Sequence, residues 1–252
     1  MSSHLSFARA LSRARHESRW RPGLADQPFH SEIFASGDEA SAAGLALALA
    51  RDALTSQGEG GAEEDARHVL WVQDRKAMQL GGRPCVQGLP PDLRHRLIHV
   101  AAATPEDALF ALEEGLKCRD FACVIGEIAG NPRALTFTTS RRLSLTAERH
   151  GVRLWLVRLD AAPDLSSARM RWQARAAPSP PPRWNPTAPG TATWHAELFR
   201  ARRHAPGEWM LSDENGHLHL RPEPDKRAAA APDFGDLVRP TVGRSLAARA
   251  RA

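Results

Sequence analysis

The chain has 252 residues, 42% apolar and 25% charged, enough to bury one substantial core with appendages. No apolar run approaches the roughly 20 residues a membrane span needs, and the Arg-bearing start from Met1 to Arg21 lacks the apolar stretch of a secretory signal. The net charge of +5 sits at the ends: five Arg against Glu17 and Asp26 put residues 1–31 at +3, six basic against two acidic residues put 226–252 at +4, and the stretch between carries −2.

In chain order, the first strand signal is Phe29 to Ala35, followed by a loop with Gly37 and Gly44 and a helical pattern from Ala40 to Leu54. A strand, a Gly-bearing loop and a helix is where a nucleotide-binding fold keeps its phosphate cradle. The working motif G-x-x-x-x-G-K-[ST] uses backbone N–H groups, a Lys and a hydroxyl to hold phosphate and Mg²⁺. Here the two glycines are too far apart, Asp38 and Glu39 would repel a triphosphate, and Leu45 and Ala46 stand where Lys and Ser/Thr belong. The phosphate loop is degenerate, and no cofactor is expected.

An acidic, Gly-rich loop over 56–66 precedes three short β-branched or aromatic runs, His68 to Gln73, Leu97 to Ala101 and Phe121 to Gly126, each read as a buried strand. Thr104 followed by Pro105, Glu106 and Asp107 is an N-cap signature, and Ala108, Leu109, Leu112 and Leu116 recur at helical spacing, which predicts a helix over Pro105 to Lys117. A further helix is predicted over Ser140 to His150, closed by Gly151, and strand character returns at Val152 to Val157. This alternation points to a doubly wound α/β domain with a mostly parallel sheet. From Ser166 on, Ala168 to Ala176, Thr193 to Arg202, Glu208 to Ser212 and Gly216 to Leu220 read as strands without helices between them, an antiparallel extension. The prolines 178, 180, 181 and 182 form a stiff link within it. The expected organisation is a basic segment 1–25, a domain 26–220, and a disordered basic tail 221–252. In the tail Phe234, Leu237 and Val238 form an apolar cluster that reads as a docking motif or as a segment folding back on its own domain.

Cys85, Cys118 and Cys123 are odd in number and lack CxxC spacing, so they read as small buried hydrophobes in a reducing, cytoplasmic setting, with no metal expected. His217 and His219 alternate on one strand face, but with no Cys or carboxylate at metal spacing they read as exposed hairpin residues, as do His195 and His204. Ser140 and His150 are ingredients of a triad without a nucleophile elbow. Asp74 and Glu127 stand at strand ends, where an ATPase keeps its water-polarising and Mg²⁺-holding acids. Without a phosphate-neutralising Lys they make hydrolysis the minor reading. Arg141 and Arg142, placed at a helix start, could grip phosphate or a partner carboxylate, or pair with Glu148. Arg169, Arg171 and Arg175 alternate with Met170 and Trp172, and with Arg200, Arg202 and Arg203 they could form a basic strip for nucleic-acid phosphates. Trp172, Trp184 and Trp194 are the thin aromatic complement to that strip.

Several segments in a fixed order resemble the ImuA family. They are Phe29-His30-Ser31-Glu32-Ile33, the degenerate Gly loop, Val69-Leu70-Trp71-Val72, and Asp107 through Glu114. Val124-Ile125-Gly126-Glu127, Leu135 with Thr139 to Leu143, Ser167 to Trp172, and Pro206-Gly207-Glu208-Trp209 continue the series. The similarity spans about residues 20–220; the order and spacing carry it, not any one motif. The resemblance implies a RecA-like core and a non-catalytic accessory role in damage-induced, error-prone translesion synthesis during the SOS response. It implies contact with an ImuB-type relative of Y-family polymerases, with RecA and an error-prone polymerase alpha subunit as further candidates. DNA would be met directly or through those partners, in a bacterial cytoplasm, at the nucleoid when DNA is damaged. Two other readings stand beside it: a DNA-stimulated ATPase using Asp74 and Glu127, and a DNA-binding module using Arg169, Arg171, Arg202 and Arg203.

Overall fold

In the computed structural model, residues 19–24, 27–58, 65–185 and 188–222 are described. The tail cluster Phe234, Leu237 and Val238 lies outside them. Among the described residues, nine strands form one sheet in the order β3-β2-β4-β5-β1-β6-β7-β8-β9. These are β1 (His30–Ala35), β2 (His68–Gln73), β3 (Leu97–Ala101), β4 (Phe121–Ala129), β5 (Arg153–Leu159), β6 (Met170–Ala177), β7 (Thr193–Ala201), β8 (Gly207–Glu214) and β9 (His217–Arg221). The six strands from β3 to β6 pair in parallel, and β6 to β9 pair antiparallel. The chain is therefore an α/β protein with a mostly parallel sheet and an antiparallel C-terminal extension.

Helices α1 (Ser41–Gly58), α2 (Arg75–Gly81), α3 (Pro105–Lys117) and α4 (Phe137–His150) follow β1, β2, β3 and β4 in turn. Side-chain alternation along the strands makes two cores. Ile33, Trp71, Ile125 and Val157 face one side with Leu45 and Leu49 of α1, while Leu70, Val124, Leu154 and Leu156 face the other with Leu109, Leu112 and Leu143 of α3 and α4. Among the described residues, no helix is long and apolar enough to cross a membrane.

Local chemistry sets the helix ends. Thr104 accepts from the Asp107 amide at 3.1 Å, as its sequence signature predicts. Helix α4 starts earlier than expected, because Thr136 caps it by accepting from the Thr139 amide at 3.2 Å. Arg141 and Arg142 consequently lie in its second turn, not at its start. Gly151 takes the left-handed conformation that closes it, φ 72°. Helix α2 was not anticipated; Asp74 caps it, and only Ala77 of its residues is buried.

Strands β5 and β6 are parallel and lie on either side of β1, yet residues 160–169 connect them without a helix. Helix α1 packs on β6 from one side, and among the described residues no helix of the β5–β6 connection covers the side beside α4. The domain also starts earlier than the expected boundary: Trp20 is buried edge-on against Trp172 and Trp209, with ring centroids 4.7 and 5.3 Å away. An aromatic cluster of this kind is worth about 1 kcal/mol per pair beyond its burial.

Candidate functional site

Three places hold the residues singled out above. The first is the loop after β1. The Gly37 amide donates to the Asp160 carboxylate at 2.8 Å, and the Asp160 amide donates to Ala35 O at 3.0 Å. A phosphate cradle needs loop N–H groups free to donate to an anion; at Gly37 the protein supplies its own carboxylate. Glu39 is likewise engaged, accepting from the Ala176 amide at 2.9 Å. Leu45 and Ala46 are fully buried in the core under α1. Gly44 serves packing: a Cβ there would lie 3.1 Å from the Trp194 ring.

The second place is the pair Asp74 and Glu127. Asp74 accepts from the Ala77 amide at 2.7 Å and the Ala129 amide at 3.3 Å, so both oxygens hold backbone. Glu127 is within β4, not at its end, since the strand continues to Ala129. It is buried and accepts from Trp71 Nε1 at 2.6 Å. Burial raises its pKa, and the Asp74 charge adds to the effect.

The third place is a groove of about 580 Å³ along the uncovered side of α4. Phe137, Arg141, Leu145 and Glu148 of α4 line it together with Arg169 before β6 and Arg200 and Arg202 at the end of β7. Arg169 makes a two-nitrogen contact with Glu148 at 2.6 and 2.9 Å. Arg141, Arg200 and Arg202 are exposed and have no carboxylate partner among the described residues. Arg142 points away from this set and pairs with Glu113 of α3 at 2.6 Å.

Behind the groove runs a buried polar chain that the sequence did not reveal. His30 Nδ1 meets Ser144 Oγ at 2.7 Å, Ser144 meets Ser167 at 2.6 Å, and Ser140 bonds both Ser167 and Ser166, at 3.0 and 2.9 Å. Ser166 donates to Glu32 Oε1 at 2.7 Å, and Arg171 Nε donates to Glu32 Oε2 at 2.7 Å. Arg158 stands 3.8 Å from Glu32, and both guanidiniums lie over the Phe34 ring. Arg171 is only 3% exposed, so it is no part of a surface strip. Parallel pairing of β1 with β6 sets it beside Glu32 on the inner face. Arg169 and Arg202 meet at the groove, whereas Arg203 is not among its lining residues.

The remaining expectations resolve individually. Ser140 and His150 lie ten positions apart on α4, about 15 Å along its axis, and form no triad. His30 does touch a serine, but burial holds its pKa down to about 4, and among the described residues no carboxylate hydrogen-bonds to it. Of the cysteines only Cys123 is the buried hydrophobe expected, its thiol pushed up to about 12 by burial; Cys85 is exposed. His195 pairs with Glu208 at 3.0 Å. No group of three metal-ligating side chains exists among the described residues. Trp172 and Trp194 belong to the core, while Trp184 is 91% exposed in the proline-rich β6–β7 connection. Neither a family model nor a curated protein matches the chain.

Proposed function

We propose that this chain is a non-catalytic adaptor of an error-prone translesion synthesis complex, built on a RecA-like core that no longer grips nucleotide. The observation that carries the reading is the Asp160 carboxylate on the Gly37 amide, where a phosphate oxygen would otherwise accept. Asp74 holding two backbone amides and Glu127 accepting from the buried Trp71 indole support it further. The ImuA resemblance supplies the process and the partners: an ImuB-type polymerase relative first, then RecA and the error-prone alpha subunit.

Two measurements test it. Titration of the pure protein with ATP and Mg²⁺ should release no binding heat, and the protein should co-purify with an ImuB-type partner. Mg²⁺-dependent ATP binding of micromolar strength would sink the nucleotide half of the proposal. Failure to capture any of the three named proteins would sink the adaptor half.

A further inference from the structure

The α4 groove joins features that suit one kind of occupant. On one helix face, Phe137 and Leu145 are 45% and 53% exposed, with Arg141 between them in sequence. They stand eight residues apart, about 12 Å along the axis. Large apolar side chains left open within one concave site mark interaction surfaces. Arg141, Arg200 and Arg202 bring positive charge to the same groove without internal partners among the described residues, and the Arg169–Glu148 pair adds none.

We propose that this groove docks an acidic peptide segment of a partner protein, seated by two apolar side chains on Phe137 and Leu145 and by carboxylates on the three arginines. The inference rests on the adaptor reading and gives its partner a chemistry. A nucleic-acid strand fits less well. Single-strand grooves follow phosphates with cations and offer successive aromatic platforms for bases. Here a leucine takes the second platform and Glu148 stands among the cations. Arginine suits the carboxylate role because its planar fork binds carboxylates through two N–H groups. The connection between β5 and β6 has no helix to lie over the site; its last residues, Ser166 to Arg169, line the groove.

The probe is a fluorescein-labelled glutamate-rich peptide with two leucines about seven positions apart, the spacing that places both on one helix face. Its anisotropy on the full chain should rise to saturation. Leu145→Asp should weaken binding at least about tenfold, as should Arg141→Glu combined with Arg202→Glu, while Arg175→Glu, an exposed arginine outside the groove, should leave it unchanged. Replacing the peptide leucines with serine should cost a similar factor. Arg200→Glu provides a second charge variant should the double variant fold poorly. Equal binding of the leucine-free peptide, indifference to Leu145→Asp, or a preference for an oligothymidylate over the peptide would each overturn the inference. The same variants in the ImuB-type capture assay separate the two claims. Capture that persists in groove variants refutes the groove but leaves the adaptor standing; peptide binding without capture by the intact chain does the reverse.

Discussion

The amide of Gly37 donates to Oδ1 of Asp160 across 123 positions of sequence, at 2.8 Å. Asp160 reaches it from the residue just after β5, in a left-handed backbone conformation, φ 49°. For a residue with a Cβ that conformation is uncommon and costs about 1 kcal/mol. The hydrogen bond offsets it, so the closure of this loop is a feature held by two interlocking constraints.

That interlock can be measured. A Cβ on Gly37 would lie 2.6 Å from Asp160 Oδ2 and 2.9 Å from Leu80 Cδ1. Gly37→Ala should therefore cost about 1–2 kcal/mol. In an Asp160→Gly background, which removes the carboxylate, the same change should cost much less. Urea unfolding of the four proteins in the cycle tests this. Additive losses would mean that the loop and Asp160 do not constrain each other.

Glu32 faces two buried cations, Arg171 at 2.7 Å and Arg158 at 3.8 Å. Glu32→Gln leaves both guanidiniums without their shared charge, and breaking a buried pair costs about 3–5 kcal/mol. Arg171→Met leaves Glu32 with Arg158 and the Ser166 hydroxyl, so it should cost less. The order of the two denaturation midpoints is the decisive reading. Arg171→Met being the more damaging would place the control of this cluster elsewhere.

These cases show what the sequence could convey. Strands β2 and β3 and helix α3 run over the predicted residues because short β-branched runs and a Thr-Pro-Glu-Asp cap are local signals. The start of α4 was hidden by Thr136, Phe137, Thr138 and Thr139, which have little helix propensity; the cap and the burial of Leu143 and Ala147 override it. The glycine loop was legible as one without a phosphate-binding Lys, but not that its Gly37 amide donates to Asp160. The groove was half legible, as arginines at 141, 169, 200 and 202 and a helix carrying Leu145, yet Phe137 of its apolar wall lies in a helix turn the sequence did not mark. Glu32 and Arg171, 139 positions apart, form a pair only because β6 crosses over to lie beside β1.

His30 predicts an acid sensitivity. Burial lowers its pKa from 6.5 to about 4 in the folded protein, with Nε2 unpartnered among the described residues. A base with a depressed folded pKa binds more protons when unfolded, so its neutral form contributes stability above pH 6.5 that is lost as the pH falls toward 4. The loss amounts to about 3 kcal/mol at the acid end. His30→Gln, compared with the parent by urea unfolding at several pH values, should flatten that slope between pH 4 and 6.5. An unchanged slope would assign the sensitivity to other groups.

Glu127 gives the opposite sign, and with it a test that separates the two functional readings. Its folded pKa is raised, chiefly by burial, so the protonated side chain contributes stability below its unfolded value of 4.5, and that contribution is lost as the pH rises. Glu127→Gln keeps an oxygen for Trp71 Nε1 and removes the charge. The variant should therefore gain stability relative to the parent as the pH is raised from 4.5 to neutrality, which urea unfolding across that range would detect. An ATPase relying on this acid would lose DNA-stimulated phosphate release in the same variant. An adaptor should capture its polymerase partner as the parent does, because Glu127 lies under α2 and away from the groove. A variant that unfolds more readily at neutral pH would show instead that the ionised carboxylate is the form the fold requires.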